Sequence, residues 1–182
     1  METELQLIEA IRSGDATARR RLYEGYVGYA TAVGRRYVPQ EADLHDVLQD
    51  SFIKVFTGIG SFSHRGEGSL KQWIGRIVAN QAIDHLRRQA RFTLLDELPD
   101  TQADTDDEPD VGHIPPDVLT TLIGRLPTGY RTVLNLYVFE QLSHREIARR
   151  LGIKEGTSAS QFLRAKQQLA SMIKAYLNTQ KA

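Results

Sequence analysis

Four side chains near the C-terminus, Thr157, Ser160, Gln161 and Arg164, carry the groups best suited to a macromolecular partner. Their hydroxyls, amide and guanidinium donate to and accept from base edges and phosphate oxygens. Their three- and four-residue spacing gathers them at the leading edge of one helix. A pair of helices must hold that edge. Ser143 is a good N-cap, Glu146 completes a capping box with it, and Ile147, Ala148 and Leu151 give the short helix a buried side. Gly152 supplies the left-handed break, and Glu155 opens a longer helix striped by Phe162, Ala165, Leu169, Met172 or Ile173, and Tyr176. Two helices around a short glycine-containing turn read as a helix-turn-helix, whose second helix enters the major groove. An ordinary antiparallel helical pair is the other reading of the same pattern.

Two further constellations lie upstream. Asp46, Gln49 and Asp50 fall three and four residues apart on one helix face, opposite an apolar stripe. Taken alone, such a trio also describes a solvated helix face. Arg76, Asn80, Arg87 and Arg91 share a side of a later helix, with Arg88 adjacent, and the asparagine can pair with adenine or phosphate. The loop before that helix holds Phe62, His64, Arg65 and the glycines Gly60, Gly66 and Gly68. Aromatic and basic groups beside a basic helix suit a single-stranded, unstacked base, although a plain connector has a similar composition.

Helices must position all of these. The apolar periods are helical almost throughout, so an all-α fold is expected, with two small domains in 182 residues. Residues 1–91 read as a four-helix bundle. Leu5, Ile8 and Ile11 form the inner side of the first helix, which Gly14 ends. Asp15 caps the second, which buries Leu22, Tyr23, Tyr26, Val27, Ala30 and Val33 and closes at Pro39. The third, from about Leu44 to Thr57, buries Leu44, Leu48, Phe52, Val55 and Phe56. The fourth begins with Leu70, Trp73, Ile74 and Ile77 and reaches about Ala90. Residues 118–182 contain the helix-turn-helix. Between the two lies an acidic segment, 92–117, with nine Asp or Glu and no Lys or Arg, expected as a flexible linker. The net charge of zero therefore conceals 14 acidic against 23 basic residues in the remainder, which suits a polyanionic partner.

Composition also narrows the chemistry. The chain has no cysteine, hence no disulfide framework, thiolate metal site or thiol nucleophile. GEGS lacks the Lys-Ser/Thr ending of a phosphate-binding loop, the five histidines are scattered, and the carboxylates of 104–110 sit in the linker. Neither a metal nor another cofactor is expected, and no catalytic residue is assigned. No run of 18 apolar residues exists for membrane insertion, and the acidic, amphipathic start is unlike a signal peptide, so a cytoplasmic protein is expected.

The stretches DLHDVLQDSFIKVF, SLKQWIGRIVANQAIDHLRRQAR and LPTGYRTVLNLYVFEQLSHREIARRLGIKEGTSASQFLRAKQQL together resemble a bacterial sigma factor. They are most similar to the short extracytoplasmic-function (ECF) group, which keeps the second and fourth conserved regions. The resemblance covers nearly the whole chain apart from the linker. It implies that Asp46, Gln49 and Asp50 dock on the clamp helices of the β′ subunit of core RNA polymerase. It implies melting and reading of the −10 promoter element by the 61–69 loop, with Phe62 and Arg65, and by Trp73, Arg76, Asn80, Asp84, Arg87, Arg88 and Arg91. The C-terminal helix-turn-helix is implied to read the −35 element and pack on the β flap. Its −35 set is Thr157, Ser160, Gln161 and Arg164 with His144, Arg145 and Lys166. An anti-sigma protein is a further implied partner, and the linker is implied to thread toward the polymerase active-site cleft. Family members often carry Lys or Arg where Ala159 stands and Arg where Gln161 stands, which implies fewer phosphate contacts here. The alternative is a free-standing helix-turn-helix regulator, which needs neither the Asp46–Gln49–Asp50 face nor the basic fourth helix.

Overall fold

Local capping chemistry sets where the helices begin. In the computed structural model, which describes residues 3–88 and 114–180, Thr3 and Gln6 form a reciprocal capping box at the start of α1 (Glu4–Arg12). The Asp15 carboxylate accepts from the backbone of Thr17 and Ala18 and starts α2 (Ala16–Tyr37). Those bonds hold its pKa below the usual carboxylate range. α2 stops one residue short of the Val38-Pro39 pair, where proline disfavours further helix. α3 (Glu41–Gly58) and α4 (Ser69–Arg88) complete the first of two compact units, Met1–Arg88.

α4 is the central element of this unit, packing against both α2 and α3. Its buried face comprises Leu70, Ile74, Gly75, Val78, Ala79, Ala82, Ile83 and Leu86, with Gln81 and His85 also enclosed. Burying an aliphatic side chain of this size contributes about 1.5–3 kcal/mol, so such a stripe supplies much of the unit's stability. The approach of α3 to α2 is close at Gly34: a Cβ there would lie 2.7 Å from Leu44 Cδ1, so the buried Leu44 side chain would have to shift. His85 Nε2 faces the Asp43 carboxylate at 3.4 Å and adds a polar tie between α3 and α4.

The second unit, Gln89–Ala182, is built from α5 (Pro116–Gly124), α6 (Thr128–Val138), α7 (His144–Leu151) and α8 (Glu155–Gln180). Ile123, Leu126, Tyr130, Leu134 and Ala165 form one part of its core. Ile114, Leu122 and Ile173 form another, with Tyr176 and Leu177 packed on it. The turn between α5 and α6 is closed by Arg131, which is 5% exposed and donates to the carbonyls of Gly124 (3.0 Å) and Leu126 (2.9 Å). Burial pushes its pKa down to about 10, so the clamp remains charged at neutral pH.

All the secondary structure among the described residues is helical, as the apolar periods require. The registers differ in detail from the sequence expectations. In α1, Leu7 replaces Leu5 on the inner side, and Leu5 is 43% exposed. In α2, Tyr23 is exposed and lies over the rim of the bundle, its ring 4.7 Å from that of Phe52. In α3, Val47 and Ser51 are buried, whereas Leu48 and Phe56 are only partly so. The expected linker also ends earlier than 117: Ile114 is buried in the second unit and Pro115–Pro116 starts α5. The remainder of that segment, 92–113, with the path implied for it, lies outside the described residues, as does Arg91.

Candidate nucleic-acid interface

The helix-turn-helix is assembled by the chemistry expected of it. Ser143 Oγ accepts from the Glu146 backbone at 3.3 Å, and the Glu146 carboxylate accepts from the Ser143 backbone at 2.8 Å. The Ser143 hydroxyl and amide hold the Glu146 carboxyl below its usual range. Gly152 adopts the left-handed conformation (φ 70°, ψ 34°) and ends α7. His144 then locks the two helices together. Its Nδ1 lies 3.1 Å from Ser158 Oγ, and its ring stacks on Tyr137 at 4.7 Å, beside Phe162. His144 is thus partly buried and engaged inside the unit, while Arg145 next to it is exposed.

The α8 surface differs from the expected reading edge in one important position. Gln161 is 2% exposed, and neither amide atom has a hydrogen-bond partner. Its Oε1 would sit 3.1 Å from a Cβ at Gly129, so the side chain is aimed into the seam between α6 and α8. The correction follows from helical phase: Ser158, Gln161 and Ala165 are the buried positions at this end of α8, and Gln161 occupies an inner position despite its polar type. The outward face consists of Gly156, Ala159, Ser160, Leu163 and Lys166, with Thr157 and Arg164 half-buried at its margins. Leu163, 54% exposed, is the functional candidate that sequence reading passed over. An apolar group exposed on a helix face suits contact with a thymine methyl. The signal for it was its three-residue step from Ser160.

A Gln161→Leu variant should accordingly keep the parent's duplex-binding behaviour and unfold no more easily than the parent. A buried amide without partners costs about 1–3 kcal/mol, and leucine removes that penalty at similar volume. Thermal denaturation and competition between DNA duplexes check this. Loss of sequence preference would return Gln161 to the groove.

In the first unit, Arg76, Asn80, Asp84, Arg87 and Arg88 all lie exposed along one side of α4. The row starts at a pocket of about 470 Å³ lined by Phe62, Arg65, Glu67, Gln72, Trp73 and Arg76, among others. Phe62 and Trp73 form its aromatic wall, with ring centroids 4.8 Å apart and planes tilted by 36°. Aromatic faces beside a guanidinium are what an unstacked base requires.

On α3, Asp46 and Gln49 are exposed, and Ile53, on the same face, is 56% exposed. Asp50 is less isolated than its position implies. Its carboxylate lies 3.5 Å from the Arg88 guanidinium, so the acidic face and the basic row adjoin. Asp50, Ile53, Lys54, Gln81, Asp84, Arg87 and Arg88 line one open groove between α3 and α4. Among the described residues, no three His, Asp or Glu side chains are grouped closely enough to hold a metal ion. No described helix is long and apolar enough to cross a membrane.

Comparison with known proteins gives two family matches in the same order as the two units. Residues 22–92 match Sigma-70 region 2, and residues 117–169 match Sigma-70, region 4. The chain is 30% identical to the ECF RNA polymerase sigma-E factor of Haemophilus influenzae, over 94% of this chain and 95% of that protein. It is 28% identical to the RNA polymerase sigma-H factor of Pseudomonas aeruginosa, over 97% and 96% of the respective chains. It is 27% identical to the ECF RNA polymerase sigma factor SigM of Bacillus subtilis, over 85% and 96%. A solved structure of CnrH in complex with the cytosolic domain of CnrY aligns with a TM-score of 0.49 and 25% identity, covering 93% of this chain and 96% of that one.

Proposed function

This chain belongs to the ECF sigma factors of RNA polymerase, and on that premise we propose a division of labour among its surfaces. The Asp46–Gln49–Asp50 face, continued by Ile53, docks on the β′ clamp helices of core polymerase. The Phe62–Trp73 pocket captures an unstacked base of the −10 element, and the Arg76–Asn80–Arg87–Arg88 row carries the adjoining strand. The outward face of α8 reads the −35 element, with Arg145 and Lys166 at its phosphates, and the second unit packs on the β flap. Nucleotide chemistry belongs to the polymerase. Family membership supports a cytoplasmic location and an anti-sigma partner that restrains the free protein.

The observation that carries this reading is the continuity of the α4 surface. An aromatic-walled pocket opens onto an exposed row that carries Arg76, Arg87 and Arg88, and that row ends beside the acidic face of α3. A free-standing regulator needs neither feature. The test is to reconstitute the protein with core polymerase and map the 5′ ends of the transcripts. The expected result is a set of start sites preceded by two shared sequence elements. Start sites identical to those of core polymerase alone would contradict it.

A further inference from the structure

The 61–69 loop is held from outside its own helices, by α1. Arg12 donates through Nε to the carbonyl of Ile59, at the end of α3, at 3.3 Å, and through Nη2 to the carbonyl of Phe62. Glu4, at the other end of α1, accepts from the Leu70 backbone amide in the first turn of α4 at 3.3 Å and from the Tyr26 hydroxyl at 3.1 Å. The same carboxylate faces His64 Nε2 at 3.4 Å, and only a tenth of its side-chain surface is exposed. Burial, with Glu4 beside it, pushes the Tyr26 phenol up to about 12, so it stays a donor to that carboxylate. One short helix thus ties the loop at its entry, within it and at its exit. These are the segment's long-range polar ties, and one of them ends on the backbone of the residue whose ring forms the pocket wall.

We propose that Glu4 and Arg12 are positioning residues for promoter reading: α1 braces the loop so that Phe62 stays packed against Trp73 and the base pocket is preformed. The inference rests on the reading of that pocket as the −10 base site. A loop with two positive-φ glycines, Gly66 and Gly68, has many accessible conformations, and each unbraced one dilutes the population able to accept a base. Arg12 can serve two carbonyls because its guanidinium is a planar fork, whereas a lysine presents one point of charge.

Trp73 is the chain's single tryptophan, so its quenching by acrylamide reports the pocket directly in the full-length protein. Holoenzymes carrying Glu4→Gln, Arg12→Gln, Arg12→Lys or Phe62→Ala are compared for open-complex formation on a matched promoter and on one with a substituted −10 element. The quantity read is the ratio between the two promoters, because poorly folded protein lowers both alike. Glu4→Gln and Arg12→Gln should raise Trp73 quenching and lower the ratio about tenfold to a hundredfold, the effect of losing one charge-assisted hydrogen bond, with core affinity unchanged. Arg12→Lys should fall between these and the parent. Glu4→Gln, nearly isosteric, keeps the test available should Arg12→Gln fail to fold. If Phe62→Ala collapses the ratio while the Glu4 and Arg12 variants leave it and the quenching unchanged, the brace is wrong and the pocket reading stands. If Phe62→Ala itself leaves the ratio intact, the pocket reading fails and the brace falls with it.

Discussion

Reversing the charge of both carboxylates on α3, Asp46→Lys with Asp50→Lys, should weaken binding to core polymerase by about 3–5 kcal/mol, a factor of about a hundred to a few thousand, since like charges across an interface cost several kcal/mol. Folding should be little affected. Asp46 is exposed, and the Asp50–Arg88 pair is a surface contact between half-exposed side chains, of a kind that contributes about 0–1 kcal/mol. The double variant also places a lysine beside Arg88, which adds local repulsion at the junction of the acidic face and the basic row. Titration of labelled core polymerase with the variant, alongside its thermal denaturation, separates docking from folding. Unchanged core affinity would remove this face from the docking surface.

The second large effect is expected from Ser160→Asp. Ser160 lies at the centre of the outward α8 face, between Ala159 and Leu163, and its hydroxyl bonds only to the neighbouring Thr157 carbonyl at 3.0 Å. The fold should therefore tolerate aspartate. In the major groove the new carboxylate would meet phosphate charge and base-edge acceptors, with an expected cost of about 2–4 kcal/mol in promoter affinity. Holoenzyme occupancy on promoters with intact and scrambled −35 elements measures it. The variant should lose the difference between the two promoters while still binding core polymerase. Retained preference for the intact element would mean that another surface reads it.

The elements that proved legible in the sequence are those written in local chemistry. The Ser143–Glu146 capping box, the Asp15 cap and the Gly152 break each involve residues within four positions of one another, so chain order states the contact outright. The exposed row on α4 was legible for the same reason: the steps from Arg76 to Asn80, Asp84, Arg87 and Arg88 follow the helical period. Gln161 was not legible because residue type and helical phase disagree there. A polar side chain suggests an outward position, whereas the phase of α8 places it inward against Gly129. Leu163 was missed by the converse error, an apolar residue exposed on the reading face. The α1 brace could not be read at all, because its contacts join residues 47 to 66 positions apart and depend on how the bundle closes.

As an ECF sigma factor, this chain confers promoter choice on core polymerase. The most direct measurement is run-off transcription from a mapped promoter by core polymerase alone, with the protein, and with its Asp46→Lys/Asp50→Lys variant. A defined transcript is expected only when the parent protein is present, and it should be lost when either promoter element is scrambled. Sequence-specific duplex binding by the chain alone, with no change in where core polymerase starts, would contradict it.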